Sequence, residues 1–248
     1  MKARELHRWD VTPEEARRIQ EELRGRVELK DRLSERKSEK RKTKSEKRFD
    51  SIRRVAGADV AFDFRRGGTS QGRAIAGVIV YSFPEMHEIE RAWAERPLEF
   101  PYVPGLLSFR ELPALLAAIA KLRAEPDVIF CDAQGYAHPR RFGLACHLGV
   151  LLDRATVGCA KSRLIGQHKE PGRAAGSWAA LMDAGETIGA AVRTRTGVKP
   201  IYVSPGHRVS LASAAELAMA VCDGYRIPMP TREADQFVEE VKRGKRKF

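Results

Sequence analysis

The sequence predicts an α/β fold, a mixed sheet with helices on its faces, and two patterns support this class. Three apolar strand-like segments come first, at 52–62, 73–83 and 87–95, separated by turn residues as in an antiparallel meander. Beyond residue 105 helical and strand-like segments alternate, beginning with a helix predicted at 108–124. A meander followed by alternating strands and helices is typical of a mixed sheet covered by helices.

The remaining elements are predicted from apolar spacing and capping residues. A helix is predicted at 11–25, because Thr12 is a suitable N-cap and Pro13 fits the first turn. Thr231 is the predicted N-cap of the last helix, at 231–242. The other predicted elements are a strand at 127–133, a helix at 141–152, a strand at 155–160, one or two strands near 187–194 and 199–204, and a helix at 211–223.

The chain divides into three predicted parts: an N-terminal helix and basic segment at 1–50, a main domain at 51–242 and a basic tail at 243–248. Residues 30–48 contain ten basic and four acidic side chains and almost nothing apolar. One interpretation is a solvated, partly disordered segment. The other is a flexible basic arm that holds nucleic acid non-specifically, and the two are compatible.

The net charge of +12 favours a polyanionic partner, with nucleic acid first and an anionic membrane surface second. The sequence contains no run near the roughly 18 apolar residues that a membrane-spanning helix needs. Residues 1–10 also lack the apolar stretch of a signal peptide. We therefore expect a cytoplasmic monomer that binds nucleic acid and no membrane.

The four cysteines are widely spaced, with no C-x-x-C pair and no matching histidine pair. This spacing argues against a zinc site, and a disulfide framework is unusual in a cytosolic chain of this size. We interpret Cys131, Cys146, Cys159 and Cys222 as small buried apolar side chains.

Two aspartates stand out because each interrupts or ends an apolar strand. Asp59 lies inside the apolar run 55–62, and Asp132 directly follows the run 128–131. A buried carboxylate is costly unless hydrogen bonds or a cation satisfy it, and two neighbouring carboxylates repel unless a proton or divalent ion separates them. Oxygen ligands favour Mg²⁺ or Mn²⁺ over zinc. Asp63 lies about 13 Å further along the strand, which places it at the strand exit.

Two further acids have open alternatives. Glu111 fits a capping box with Ser108 at the start of a helix, or it is a third carboxylate for the ion. Asp235 is either an exposed helical side chain or a weaker candidate ligand. The residues alone do not decide between these interpretations.

Several polar side chains are candidates for contact with a phosphate. Lys161 follows a predicted strand and either faces a phosphate or begins a solvated turn. His138 precedes a proline, and it either contacts a phosphate or metal-bound water or fixes the loop. His207 is interpreted as structural. The stiff segment 101–107 is either an ordinary connection or an apolar wedge that enters stacked bases.

Six ordered motifs within residues 52–242 together resemble the endonuclease V family: VAGADVAF, PYVPGLLSFRE, CDAQGYAHPRRFGLACHLG, GCAKSRLIG, YVSPGHRVSLASA and PTREAD. The resemblance implies a ribonuclease H-like fold with a mixed five-stranded sheet, and it makes 51–242 the catalytic domain. It also implies a Mg²⁺-dependent enzyme of DNA repair that cuts the second phosphodiester bond 3′ to deoxyinosine. Some members of the family prefer inosine in RNA.

The resemblance also implies roles for the acids and bases. Asp59, Glu111 and Asp132 match the metal-binding acids of the family, and Asp235 matches an acidic or histidine position beside them. Glu111 thereby becomes a predicted ligand. Lys161 and His138 match residues near the scissile phosphate, and they complete the predicted catalytic set.

The predicted contacts with DNA follow in the same way. Tyr102 and Pro104 match the wedge that opens the double helix, and the wall of the base pocket matches Leu107, Gly135 and Gly158. The sequence departs from the family pattern at Ala133, where glycine is usual, and in a longer segment at 30–48. A methyl group at 133 puts the details of the pocket in doubt.

Two alternatives to a DNA-cutting enzyme remain open. One is an inosine-specific endoribonuclease of the same family. The other is a non-catalytic module that binds nucleic acid, although such a module gains nothing from buried carboxylates that face a phosphate.

Overall fold

The computed structural model describes residues 1–33, 49–64 and 72–244. The strands are β1 (Arg54–Asp63), β2 (Arg73–Ser82), β3 (Glu88–Pro97), β4 (Val128–Cys131), β5 (Ala155–Ala160), β6 (Trp178–Asp183), β7 (Glu186–Val192) and β8 (Ile201–His207). The helices are α1 (Pro13–Arg24), α2 (Leu107–Ile119), α3 (Leu144–Leu152), α4 (Leu211–Ala220) and α5 (Met229–Lys242). The α/β class predicted from the sequence is confirmed.

All eight strands belong to one sheet with the order β3-β2-β1-β4-β5-β8-β7-β6. Strands β1, β2 and β3 form the predicted antiparallel meander, and β4 and β5 add to β1 in parallel. The expected count of five strands describes only this half of the sheet. Strands β8, β7 and β6 continue it with antiparallel pairing, so the prediction of a five-stranded sheet is wrong in number but right in the order of its core.

The helices cover both faces of the sheet, because side chains alternate between faces along each strand. Helices α2 and α3 pack on the face that carries Ala56 and Ile129. Helix α4 and Phe237 of α5 pack on the opposite face, which carries Val55 and Phe130. The central strands β4 and β5 are buried along their whole length. This burial explains why their sequences are continuous apolar runs rather than alternating ones.

The N-terminal segment is attached to the body by specific contacts. Helix α1 begins after Thr12, which forms a capping box with Glu15, as predicted in outline for this helix. Asp31 accepts a hydrogen bond from the backbone of Ser210 at the start of α4, at 2.8 Å. Most of the basic segment 30–48 and the end of the tail lie outside the described residues, and the division into three parts stays a prediction.

Several details of the sequence prediction need correction. Helix α5 begins at Met229, so Thr231 lies inside its first turn and donates to the carbonyl of Pro228 instead of capping the helix. Cys131, Cys146 and Cys159 are buried as predicted, but Cys222 is partly exposed. In the part of the chain that the structure describes, no helix has both the length and the apolar character needed to cross a bilayer.

Candidate active site at the ends of the central strands

The sheet itself brings the two strand aspartates together. Strands β1 and β4 are parallel neighbours, and Ala58 pairs with Cys131 in their register. Asp59 and Asp132 therefore occupy adjacent positions one residue further along. The backbone amide of Asp132 still points to the carbonyl of Ala58, at 3.4 Å. Asp63, in contrast, is the last residue of β1, as predicted.

Helix α5 brings Asp235 to the same place because two glycines allow it to lie directly on the sheet. A Cβ at Gly57 of β1 would lie 1.9 Å from the carbonyl oxygen of Pro230. A Cβ at Gly77 of β2 would lie 2.6 Å from a methyl carbon of Val238. These close approaches, which only glycine permits, fix the distance between α5 and the strand that carries Asp59.

Lys161 joins two of these acids. It follows β5, and its Nζ lies 2.5 Å from Oδ2 of Asp132 and 3.3 Å from Oδ2 of Asp235. The backbone carbonyl of Lys161 accepts a hydrogen bond from Arg226, at 2.7 Å. Although partial burial disfavours the charged amine, Asp132 and Asp235 raise the pKa of Lys161. Lys161 is thus a fixed cation at the edge of an acidic site.

Glu111 also faces this site, from helix α2, and the interpretation as a capping residue is wrong. The helix begins at Leu107, and its N-cap residue Leu106 makes no side-chain hydrogen bond. Ser108 lies inside the helix, where its Oγ hydrogen-bonds with Nδ1 of His147 at 3.0 Å. Burial and the neighbouring charges of Asp59 and Asp132 raise the pKa of Glu111 well above its usual range.

The electrostatics of the site show an excess of negative charge. Burial, followed by the charge of Asp132, raises the pKa of Asp59 to about 8. Burial also raises the pKa of Asp132, against the opposing hydrogen bond from Lys161. The one positive charge of Lys161 does not balance the negative charges of four ionised carboxylates. Further positive charge would therefore be stabilised here.

The donor set fits a hard divalent cation, because it consists of carboxylate oxygens alone. Within the described residues, however, no three histidine, cysteine, aspartate or glutamate side chains already stand in the arrangement of a metal cage. In the structure, Asp132 and Asp235 contact the amine of Lys161 instead.

A cavity of about 410 Å³ opens beside the acids. Its wall is formed mainly by residues 102–105, 107–108, 132–134 and 160–164. Tyr102, at 72% exposure, and Leu164, at 45%, are apolar side chains that border it in contact with solvent. The predicted wedge residues Tyr102 and Pro104, together with Leu107, therefore share one cavity with Asp132 and Lys161.

His138 lies away from the acids, on the other wall of this cavity. It is 3% exposed. Its Nε2 donates to the carbonyl of Gly105 at 3.0 Å, and its Nδ1 accepts from the amide of Arg140 at 3.2 Å. Burial lowers the pKa of His138 to about 4, so the ring is neutral. Its predicted role near the phosphate stays a prediction, whereas its contact with the loop is observed.

The predicted pocket glycines lie behind the cavity wall. A Cβ at Gly135 would meet the backbone of Pro205 at 2.3 Å, and a Cβ at Gly158 would meet the amide nitrogen of Gly135 at 2.5 Å. The amide of Gly135 donates to Oγ of Ser204, at 2.8 Å. Ala133 lines the cavity and is 7% exposed, so the shape of the wall already includes its methyl group.

Gln134 and Gln20 are two of the cavity residues that the sequence analysis missed. Gln134 lines the cavity, and its Nε2 donates to the carbonyl of Ser162 at 2.8 Å. Gln20 reaches the cavity from α1 and is 1% exposed. A signal for Gln20 was present, because it lies four residues after the buried Ala16, on the apolar face of the helix.

The strand order and the acids at the ends of its central strands define an α/β protein with a ribonuclease H-like fold. The family model described as endonuclease V matches residues 34–236. Endonuclease V of Nostoc sp. is 47% identical over 230 residues, which are 93% of this chain and 95% of the relative. The chain belongs to the endonuclease V family.

Solved structures of the family have the same fold. Endonuclease V from Streptomyces avermitilis superposes with a TM-score of 0.84 at 40% identity, covering 99% of both chains. Endonuclease V from Ciona intestinalis superposes with a TM-score of 0.74 at 26% identity, covering 94% of this chain and 98% of that one. The Ciona structure is a complex with a 24mer DNA that contains an inosine followed by a ribo-adenosine.

Proposed function

We propose that this chain is a Mg²⁺-dependent endonuclease of DNA repair that nicks DNA at the second phosphodiester bond 3′ to deoxyinosine. The observation that carries the proposal is a cavity bordered by exposed apolar side chains and lined by Asp132 and Lys161. Asp59, Glu111 and Asp235 belong to the same acidic site. Membership of the endonuclease V family and the inosine-containing DNA bound by the Ciona relative support the choice of substrate.

Asp59, Glu111, Asp132 and Asp235 would hold the ion, with Mn²⁺ as a substitute. When bound, such an ion offsets charge on the scissile phosphate and lowers the pKa of an attacking water. Burial and nearby negative charges raise the pKa values of Asp59, Glu111 and Asp132 in the protein alone, and a bound ion would offset that cost.

Lys161 has a role of its own in this site. Its Nζ already contacts Asp132 and Asp235, so the amine lies where a phosphate close to the acids would meet it. An ammonium group in that position offsets the negative charge that develops on the phosphate oxygens during hydrolysis. When the acids hold an ion, the amine becomes free to face the phosphate.

The cavity would receive the displaced base. Hypoxanthine pairs weakly, which lowers the cost of turning it out of the stack. Tyr102, supported by Pro104, would fill the gap that the base leaves. Leu107 and Ala133 would contact the base, while Gly135 and Gly158 would act by allowing the strands behind the wall to pack closely.

A second candidate function is cleavage of inosine-containing RNA. The relative from Ciona binds DNA in which a ribo-adenosine follows the inosine. The acids would play the same part in both reactions.

The test compares three matched strands: DNA with deoxyinosine, the same DNA with a ribonucleotide after it, and RNA with inosine. Each is incubated with Mg²⁺ and then with EDTA, beside a strand with adenine in place of hypoxanthine. The proposal expects a nick two phosphates 3′ to deoxyinosine that EDTA abolishes. Cleavage of RNA alone would favour the second candidate, and absence of cleavage in all three strands would reject both.

A further inference from the structure

Helix α1 inserts a buried amide into the polar contacts of the loop 101–107. Gln20 Nε2 donates to the carbonyl of Gly105 at 3.1 Å and to that of Phe142 at 3.2 Å. Its Oε1 accepts from Nε of Arg140, at 2.6 Å. Both the nitrogen and the oxygen of the amide form hydrogen bonds, so the orientation of the Gln20 side chain is fixed.

The carbonyl of Gly105 is the point where these contacts meet. It accepts from Nη2 of Arg140 at 2.8 Å and from Nε2 of His138 at 3.0 Å, in addition to Gln20. Gly105 has a φ of +79°, and a Cβ there would lie 2.9 Å from Nη2 of Arg140. A left-handed glycine is therefore needed for the carbonyl to face its three donors.

The loop that these donors hold carries an exposed aromatic ring. Tyr102 lies three residues before Gly105 and is 72% exposed. Two prolines, Pro101 and Pro104, flank the segment and restrict its backbone. Because the ring is largely exposed, its direction follows from the backbone of the loop 101–107, which is held in part through the carbonyl of Gly105.

We propose that Gln20 is a positioning residue that fixes the Gly105 carbonyl and thereby aims Tyr102 at the duplex. This inference rests on the proposed function, in which Tyr102 enters the base stack. Gln20 touches neither the acids nor Lys161 in the structure. Gln20 acts on the loop and not on the acids, so its main effect is on opening the double helix.

The inference predicts different effects on the cleavage of double-stranded and single-stranded substrates. A duplex has an opposing strand and a continuous stack, so removing the base requires the ring of Tyr102. A single strand that contains deoxyinosine presents its base without that step. A positioning defect in the loop therefore slows cleavage of the duplex and spares the single strand, whereas a fault in folding or chemistry slows both.

Gln20→Glu is the sharpest variant, because it keeps the size and the acceptor for Arg140 but removes the donors to Gly105 and Phe142. Glu22→Gln, the converse exchange at an exposed position of the same helix, is the matched control. We expect Gln20→Glu to lower the rate on duplex about tenfold, as for loss of one buried hydrogen bond. The rate on the single strand stays within about twofold, and the control changes neither.

Gln20→Leu is the second variant, since leucine suits the apolar face of α1 and keeps the fold if glutamate does not. Adding Gln20→Leu to Tyr102→Ala should bring no further loss on duplex. An equal loss of rate on both substrates, or no loss of rate in either variant, overturns the inference. In both cases the proposed function stands if the wild-type protein cuts the duplex. If the wild-type protein cuts neither substrate, the proposed function fails and the inference fails with it.

Discussion

The two walls of the cavity are stabilised in opposite ways. On one wall, Asp132 and Lys161 belong to the acidic site that also includes Asp59, Glu111 and Asp235, and the pKa of Asp59 is raised to about 8. On the other wall, the loop 101–107 is held by hydrogen bonds from Gln20, His138 and Arg140 to the carbonyl of Gly105, and the pKa of His138 is lowered to about 4. One wall gains from an added cation, and the other is complete without one.

Under the proposed function, this difference would separate chemistry from recognition. Groups that must bind a cation carry unbalanced charge, because that charge is the source of affinity. Groups that aim a side chain need a single rigid arrangement, which satisfied hydrogen bonds provide. Helix α2 connects the walls, since it presents Leu107 to the cavity and Glu111 to the acids. Three predictions test whether the walls are as independent as their electrostatics suggest.

The largest expected effect is the loss of activity when a strand carboxylate is removed. Asp132→Asn keeps the shape of the side chain but removes a charge from the proposed ion site. We expect nicking of an inosine-containing duplex to fall by about a thousandfold, with the thermal stability preserved or raised. Single-turnover rates at saturating Mg²⁺ measure this effect.

Asp10→Asn, at an exposed position near the N-terminus, is the control and should retain full activity. Binding of the duplex in EDTA should be unchanged or tighter in Asp132→Asn, because the loop does not depend on this charge. Full activity of Asp132→Asn would remove the acids from the chemistry.

The second prediction concerns the packing that brings α5 to the acids. Gly57→Ala places a Cβ where the carbonyl oxygen of Pro230 lies 1.9 Å away, so helix α5 must shift together with Asp235. We expect the free energy of unfolding to fall by about 2 to 3 kcal/mol and nicking to fall as well. Denaturant unfolding and cleavage assays measure the two effects.

Gly25→Ala is the matched control, because a Cβ at Gly25 meets nothing within 4 Å and its φ of −65° suits alanine. Equal stability of the two variants would show that α5 is not held by this contact. A stable Gly57→Ala protein with normal activity would show that the position of Asp235 does not matter.

The sequence was informative where a pattern is local. The strands β1 to β5 were predicted because their apolar runs differ from the turns around them, and Asp59 and Asp132 were found because each breaks such a run. Strand β6 was missed, since it is an edge strand with only Leu181 buried and has no clear alternation. An edge strand buries few side chains, so its sequence contains only a weak pattern of buried and exposed residues.

Other features depend on contacts that no local pattern contains. Ser108 and Glu111 have the spacing of a capping box, yet the helix begins one residue earlier and buries Ser108 against His147. Gln20 acts on Gly105, which lies 85 residues further along the chain. The resemblance to the family supplied Glu111 as a predicted ligand. Gln20 required the structure, because its partners are backbone carbonyls.

The smallest expected effect is a pH dependence of stability that belongs to the acid wall alone. The pKa of Asp59 is about 8 in the folded protein, whereas an unfolded aspartate ionises near about 4. The folded state therefore holds a proton that the unfolded state releases, and stability falls as pH rises through this interval. In EDTA, we expect the Tm of the wild-type protein to fall between about pH 6 and pH 8 and to change little above the raised pKa of Asp59.

Asp59→Asn should have a smaller slope, the remainder coming from Glu111 and Asp132, whose pKa values are also raised. It should be the more stable protein at the alkaline end, because one charge fewer is buried. Mg²⁺ should flatten the wild-type slope, since a cation offsets the carboxylates at high pH. His138 has a pKa of about 4 and stays neutral across the interval, so its hydrogen bond to Gly105 contributes no slope. A variant His138→Gln that removed the slope would show that the loop, not the acids, is the pH-sensitive wall.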